Sequence, residues 1–331
     1  NPSRVKMEFM GNQVWKKDIA FTAGMTVQYK YTLGSWGHEG TDLQGAPLQN
    51  FSVTLSDGRT INDTVHHWKN RGAASVRRQV TGKVEYHRSL KGEGIRDRDI
   101  IVWLPSGYDP HSKKRYPVMY LQDGQNIFDP ATSAFGTDWQ VDETADSMIR
   151  TGAVDPMIIV GIYNTPDRSI EYIPSEKGRL YREFIIRKLK PFVDSAYRTK
   201  PGSKHQSIGG SSAGGILAFM IVWEYPDVFS KAICMSPAFR LPGDQASGWN
   251  YVSTVKNDPK RKRVFFYIDN GGVGLEQRLQ PGIDEMLKAL TDKGYKAGRD
   301  FIYISDPTAQ HQEKAWAERF PQALKLTSGR K

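Results

Sequence analysis

The chain has 331 residues, a formal net charge of +10 and a pI of about 9.4. A hydrophobic content of 38% with 11% aromatic residues suffices for a sizeable core, and the lack of any run of eighteen apolar residues excludes a membrane-spanning helix. One cysteine, Cys234, excludes intrachain disulfides and a Cys-rich zinc site.

Up to about residue 70 the chain reads as short β segments. Residues 27–32 and 51–55 alternate bulky and polar side chains with period two, and a turn follows at 56–59. No helical period competes, so residues 1–70 are expected to form a small all-β module, with 71–82 as a linker. The start at Asn1-Pro2 suggests a processed or trimmed N-terminus. Asn50 and Asn62 stand in glycosylation sequons that matter only in a eukaryotic secretory host.

From residue 83 to 331 strands alternate with helices, the pattern of an α/β domain with a mostly parallel sheet covered on both faces. Strands are expected at 100–104, 117–121, 157–161, 205–209, 231–235, 263–268 and 301–304. Helices are expected at 141–151, 179–197, 215–225, 281–293 and 312–326. The basic clusters at 113–115 and 260–263 fall in loops beside strands. No nucleic-acid-binding signature accompanies them, so they read as solvated charge and no nucleic-acid partner is expected.

The most informative stretch is Gly210-Ser211-Ser212-Ala213-Gly214, which fits G-x-S-x-G between a short strand and a long apolar segment. A strand turning sharply into a helix places the middle serine on a strained, exposed corner, as a nucleophile requires. Ser212 is favoured over Ser211 because only Ser212 has glycines two residues away on both sides. A serine hydroxyl needs a base, and the histidine is expected after the last strand. His311 meets this condition between the strand at 301–304 and the final helix, whereas the other six histidines are poorly placed. Two carboxylates compete to orient it. Asp269 ends the preceding strand, and Glu276 lies beyond the glycine run 271–274, with the reach to approach His311; Asp306, or a Ser–His dyad, remains open. The oxyanion donors are expected to be the amides of Ala213 and Gln125, with Gly124 allowing close backbone approach. Asn126, Phe135, Trp139, Tyr163, Asn164, Arg168, Tyr172 and Phe239 lie on segments at the C-terminal strand edges, where a substrate pocket is expected. Arg168 would meet a substrate carboxylate or form a surface salt bridge.

With these residues in place, the chain from about residue 80 resembles the esterase D branch of the α/β-hydrolases, which includes feruloyl, acetylxylan and enterochelin-esterase-like enzymes. The resemblance rests on Arg96-Asp-Arg-Asp-Ile-Ile-Val-Trp-Leu-Pro-Ser-Gly-Tyr108, Tyr116-Pro-Val-Met-Tyr-Leu-Gln-Asp-Gly-Gln-Asn126, Gly209-Gly-Ser-Ser-Ala-Gly-Gly215, Tyr225-Pro-Asp-Val-Phe229 and Met235-Ser-Pro-Ala238. It implies an α/β-hydrolase fold and hydrolysis of carboxylic esters without cofactor or metal. Many feruloyl-esterase-type members carry Gly-Thr-x-Asp after the seventh strand. Here Gly271-Gly-Val-Gly274 holds no carboxylate, and Glu276 resembles the enterochelin-esterase-like arrangement.

The first module resembles the later half of a starch-binding or glycogen-binding β-sandwich of immunoglobulin-like build. The similarity is carried by Tyr29-Lys-Tyr-Thr-Leu-Gly-Ser-Trp36, Leu48-Gln-Asn-Phe51 and Val65-His-His-Trp68. Trp36 would stack on a sugar or close a sandwich edge. The expected partner is therefore a small-molecule or polysaccharide-linked ester, handled by a secreted or periplasmic protein. An acyltransferase using the same residues, and a carbohydrate-binding protein with an inactive hydrolase domain, are the alternatives.

Overall fold

The structure, a computed structural model, describes residues 5–11, 14–42, 46–56, 60–65, 67–69, 80–133, 136–241 and 248–329. It divides into two compact units, residues 1–79 with 129–137, and residues 80–128 with 138–331. Most of the expected linker, residues 71–79, lies outside the described residues.

The described strands of the first unit pair as three two-stranded antiparallel ladders: Glu8–Gly11 with Val14–Lys16, Thr26–Tyr29 with Phe51–Thr54, and Gly40–Thr41 with His67–Trp68. The period-two alternation of the second ladder sets Val27 opposite Val53 and Tyr29 opposite Phe51, and the Tyr29 and Phe51 rings stack at 5.5 Å. The Glu39 carboxylate, fully buried, lies 3.1 Å from Lys30 Nζ and 4.0 Å from Lys69 Nζ. A charge so buried needs such partners.

The second unit is built on strands β1 (Lys83–Leu90), β2 (Arg98–Leu104), β3 (Val118–Gln122), β4 (Ile158–Ile162), β5 (Gln206–Ser211), β6 (Lys231–Met235), β7 (Phe265–Gly271) and β8 (Phe301–Asp306). They form one sheet in the order β8-β7-β6-β5-β3-β4-β2-β1. β2 runs antiparallel to both neighbours, and every other pairing is parallel. β1 was not among the expected strands.

Successive strand residues feed opposite faces. Ile100, Val102 and Leu104 join one core, and Ile101 and Trp103 join the other. The first face is covered by α2 (Glu176–Phe184), α3 (Lys190–Ala196), α4 (Ala213–Glu224), α5 (Tyr251–Asn257) and α6 (Leu275–Asp292), and the second by α1 (Val141–Arg150) and α7 (Glu313–Ser328). A π-helical turn at Ile185–Leu189 joins α2 to α3, so the helix expected at 179–197 is continuous but changes pitch. α4 is apolar all round, with every residue from Gly214 to Trp223 buried, as expected for a helix inside a large core.

The largest shift of a helix boundary is at α6: Pro281, the first residue of the helix expected at 281–293, lies inside α6, which begins at Leu275 after Gly274 at φ 67°. Glu276 therefore sits in the first turn of a helix and is not carried on a flexible tether.

Candidate active site

The parallel register aligns the strand ends at one edge of the sheet. Ser211 pairs with Met235, Met235 with Asp269, and Gly271 with Asp306, so the segments following β5, β6, β7 and β8 emerge side by side.

At the first of these, β5 turns directly into α4 through Ser212, whose φ of 56° and ψ of −121° are rare for a residue with a side chain. Such a conformation costs about 1–3 kcal/mol and persists only where neighbours enforce it. Here the Ser212 amide donates to Met235 O at 2.9 Å, and its carbonyl accepts from Gly215 N at 3.1 Å and Ala238 N at 3.3 Å. Gly210 passes so close to Gly214 that a β-carbon would meet the Gly214 carbonyl carbon at 2.8 Å, which explains the paired glycines of the motif. Ser212 and Ala213 keep partial exposure, whereas Ser211 is buried in the strand.

The loop after β3 lies against this turn: a β-carbon at Gly214 would meet Gln122 Cβ at 3.2 Å and Asp123 Oδ2 at 3.5 Å. Asp123 is in the left-handed region, at φ 57° and ψ 46°, and opens the short 3-10 turn Gly124–Asn126. Gly124 presses on Gly161 of β4, where a β-carbon would stand 2.5 Å from the carbonyl carbon. Asn164 donates from its amide to Gln125 Oε1 at 3.2 Å and from Nδ2 to Asp123 Oδ1 at 2.6 Å. Arg168 donates from Nε and Nη2 to both Asp123 oxygens, at 2.7 and 2.8 Å. Of the two readings of Arg168 it is the salt bridge that is seen, and with Asn164, expected at the substrate pocket, it braces the loop through the Asp123 carboxylate. Asn126 donates to Glu313 Oε1 at 3.4 Å.

Three expected pocket residues are core. Phe239 and Tyr172 are fully buried and Trp139 is 2% exposed. Phe239 packs edge-on against Phe219 at 5.0 Å, Tyr172 stacks on Tyr181 at 5.5 Å, and Trp139 lies 5.8 Å from the Trp316 ring. Large apolar rings at strand ends fill the cover of the sheet before they line a cleft. Tyr163 stays half-buried, and Phe135 lies outside the described residues.

His311 and Glu276 come together, with His311 Nδ1 3.3 Å from Glu276 Oε2. Glu276 is fully buried, and the His311 side chain is 14% exposed. Glycine makes this approach possible by closeness, not by reach. Gly272 and Val273 both donate to Ala309 O at 3.1 Å, and a β-carbon on Gly271 would strike both that oxygen and the Glu276 side chain. The loops after β7 and β8 are thereby tied together, and the His311 ring rests edge-on against Trp316 at 4.9 Å.

Asp269 has other partners. Arg319 Nε and Nη2 donate to it at 3.1 and 3.3 Å, Tyr267 Oη at 3.1 Å and Ser236 N at 3.1 Å. Burial pushes the Asp269 carboxyl up, opposed by Arg319 and by these hydrogen bonds. Asp306 accepts from Thr308 N and Oγ1 at 3.0 and 2.8 Å, closing its own turn. Sequence reasoning missed Ser236 and Arg319. Ser236, buried at φ 45°, donates from Oγ to Glu276 Oε1 at 2.7 Å and accepts from Arg319 Nη2 at 3.0 Å and Trp316 Nε1 at 3.1 Å. The Met235-Ser-Pro-Ala238 stretch carried a family signal for Ser236; nothing in the spacing marked Arg319.

Among the described residues, Asp138, Asp142 and Glu143 each place one carboxylate oxygen within 4.8 Å of the others. Burial, with the neighbouring Glu143 charge, pushes the Asp142 carboxyl up to about 8, so a proton already eases the repulsion there.

Residues 95–327 match the family model described as "Putative esterase". The chain is 28% identical over 235 residues to the endo-1,4-beta-xylanase/feruloyl esterase of Xylanibacter ruminicola, covering 67% of this chain and 28% of that protein. It is 26% identical over 166 residues to the ferri-bacillibactin esterase of Bacillus subtilis, covering 43% and 54%. The chain thus spans from under a third to about half of the length of these two relatives. Among solved structures, a ferulic acid esterase superposes with a TM-score of 0.59 at 21% identity, covering 74% of this chain and 98% of that one. The enterobactin esterase of Shigella flexneri superposes with a TM-score of 0.60 at 13% identity, covering 76% and 60%; both are likenesses of fold. With the family model spanning strands β2 to β8, the serine turn and the His311 loop, the chain belongs to this putative-esterase family.

Proposed function

We propose that the chain hydrolyses carboxylic esters through an acyl-enzyme on Ser212, with His311 as base and Glu276 as the acid that orients it. The observation that carries this reading is the 3.3 Å approach of His311 Nδ1 to Glu276 Oε2, at the sheet edge where Ser212 interrupts strand and helix. Neither of those two buried atoms makes a hydrogen bond to any described residue, so each is left free for the other at this separation. Asp269, the competing acid, is committed to Arg319.

Ser212 Oγ attacks the ester carbonyl as His311 takes its proton. The charge that develops on the carbonyl oxygen is met by the amides of Ala213 and Gln125. Protonated His311, held by the Glu276 carboxylate, then gives its proton to the leaving alkoxide. Water cleaves the acyl-enzyme by the same steps in reverse. Each oxyanion donor of this kind contributes about 2.7–4 kcal/mol to the barrier reduction.

The named activities of the relatives suggest feruloyl or acetyl esters of carbohydrates, or siderophore-type esters, as substrates. A carbohydrate-linked substrate would suit a protein acting outside the cytoplasm, with the first unit as a sugar contact through Trp36, which is 39% exposed. Hydrolysis of p-nitrophenyl acetate and of methyl ferulate by wild type, Ser212→Ala and Glu276→Gln tests the reading. Ser212→Ala is expected at background and Glu276→Gln down by about 10²–10⁴-fold. Wild-type turnover in Ser212→Ala would remove the elbow from the mechanism.

A further inference from the structure

Two buried carboxylates and one buried guanidinium stand behind His311, and only one carboxylate faces it. Arg319 is 5% exposed and lies between Asp269 and Glu276. It holds Asp269 through two nitrogens, at 3.1 and 3.3 Å, while its Nη2 stays 3.9 Å from Glu276 Oε1, beyond hydrogen-bond reach. The gap is filled by Ser236 Oγ, which takes the hydrogen bond from Arg319 and gives its own to Glu276 Oε1. With Oε1 so held, Oε2 is the oxygen turned to His311.

We propose that Asp269 serves as the counter-charge that keeps Arg319 from neutralising Glu276, with Ser236 as the spacer between them. The proposal rests on the triad reading above and assigns positioning roles to Asp269, Arg319 and Ser236. With Asp269 and Arg319 cancelling, the buried group carries one net negative charge, on Glu276, and that charge is available to the imidazolium formed in each half-reaction. Without Asp269, Arg319 turns its full charge on Glu276, and the imidazolium loses its stabilisation.

The charged groups around His311 come from each neighbouring element: Asp269 from β7, Glu276 from α6, Asp306 from the end of β8, and Glu313 and Arg319 from α7. Asp306 is occupied by its own Thr308 turn, and Glu313 accepts from Asn126 Nδ2. Arg168, which feels the Glu313 charge, is already paired with both Asp123 oxygens, so Arg319 is the cation whose balance bears on Glu276.

The test is the pH dependence of kcat/KM on p-nitrophenyl acetate for wild type, Asp269→Asn and the double variant Asp269→Asn/Arg319→Met, with thermal melts of each. Asp269→Asn is expected to lose about tenfold or more at the plateau, and to shift the acidic limb of the profile down by about 0.5–1 pH unit. The double variant is expected to recover most of both losses, because it removes the unbalanced charge along with its partner. A double variant as slow as Asp269→Asn, with the same displaced limb, overturns the proposal. Should Asp269→Asn fail to fold, the double variant decides alone: a loss of about hundredfold there overturns it, and activity within about tenfold of wild type supports it. Failure of the triad reading looks different. It shows as wild-type turnover in Glu276→Gln combined with loss in both Asp269 variants, which would make Asp269 itself the acid.

Discussion

Two side chains show how little a residue's type says about its task until its neighbours are known. Arg168, at a strand end and positively charged, looks suited to an anionic substrate, yet its Nε and Nη2 are spent on the two Asp123 oxygens. Replacing it with Met should leave Asp123 without its cation, held only by Asn164 Nδ2, and loosen the loop carrying Gln125. We expect kcat on p-nitrophenyl acetate to fall about tenfold or more with little change in KM, since that small neutral ester has nothing for an arginine to hold. Asp142 illustrates the reverse case, a carboxylate whose burial favours its neutral form. Its folded-state value, about 8, lies above the ordinary carboxylate value. The folded protein therefore binds a proton that the unfolded chain releases, and the stability this contributes, complete only below the unfolded value, is lost as pH rises toward 8. Asp142→Asn keeps an acceptor for the Thr81 amide and removes the titration. Its melting temperature should exceed that of wild type by a few degrees at pH 8–9, and the advantage should shrink toward pH 4; a constant offset across the range would contradict this account.

Elements, not single residues, fix the site's geometry. The loops after β7 and β8 are bound to each other by the paired amides of Gly272 and Val273 on Ala309 O, and Gly271 has no room for a side chain. Gly271→Ala should therefore separate Glu276 from His311, with a loss of activity similar to that of Glu276→Gln in spite of an intact acid. On the other side of the elbow, the β3 loop is supported from behind. Tyr181 Oη donates to Gln122 Oε1 at 2.7 Å, and the Arg98 guanidinium lies over the Tyr181 ring at 4.1 Å while pairing with Glu171 at 2.8 Å. Both charged side chains of that pair are fully buried, so Arg98→Met strands a carboxylate in the core and should cost about 3–5 kcal/mol in a denaturant melt. Strands β2 to β8 were legible from their apolar runs, and the serine turn from its glycines. β1 was missed because it is an edge strand, half-buried, with charged residues along it. The start of α6 was misplaced because Pro281 follows a strong local preference that tertiary contacts override: Asn270 Nδ2 donates to the Glu276 carbonyl at 3.0 Å, anchoring the extra turns.

For the whole molecule, the +10 charge belongs to the chain's long-range field more than to its fold. An anionic ester should show a kcat/KM that falls as salt rises from about 0.01 to 0.15 M, as the screening length shortens from roughly 30 to 8 Å, whereas a neutral ester of similar size should be indifferent. What the sequence determined by itself is what local chemistry encodes. The alternation of apolar runs specified a covered parallel sheet, and the glycines around Ser212 specified a turn that only a strand–helix junction builds. The order of serine, acid and histidine along the chain narrowed the choice of partners. Only the tertiary structure decided which carboxylate faces His311, which polar residues brace the β3 loop, and which aromatic rings are core. Those outcomes depend on side chains far apart in sequence, such as Ser236, Glu276 and Arg319, competing for the same few buried hydrogen bonds. Charge pairing in a dry interior is settled by distance and geometry, which residue spacing along the chain does not record.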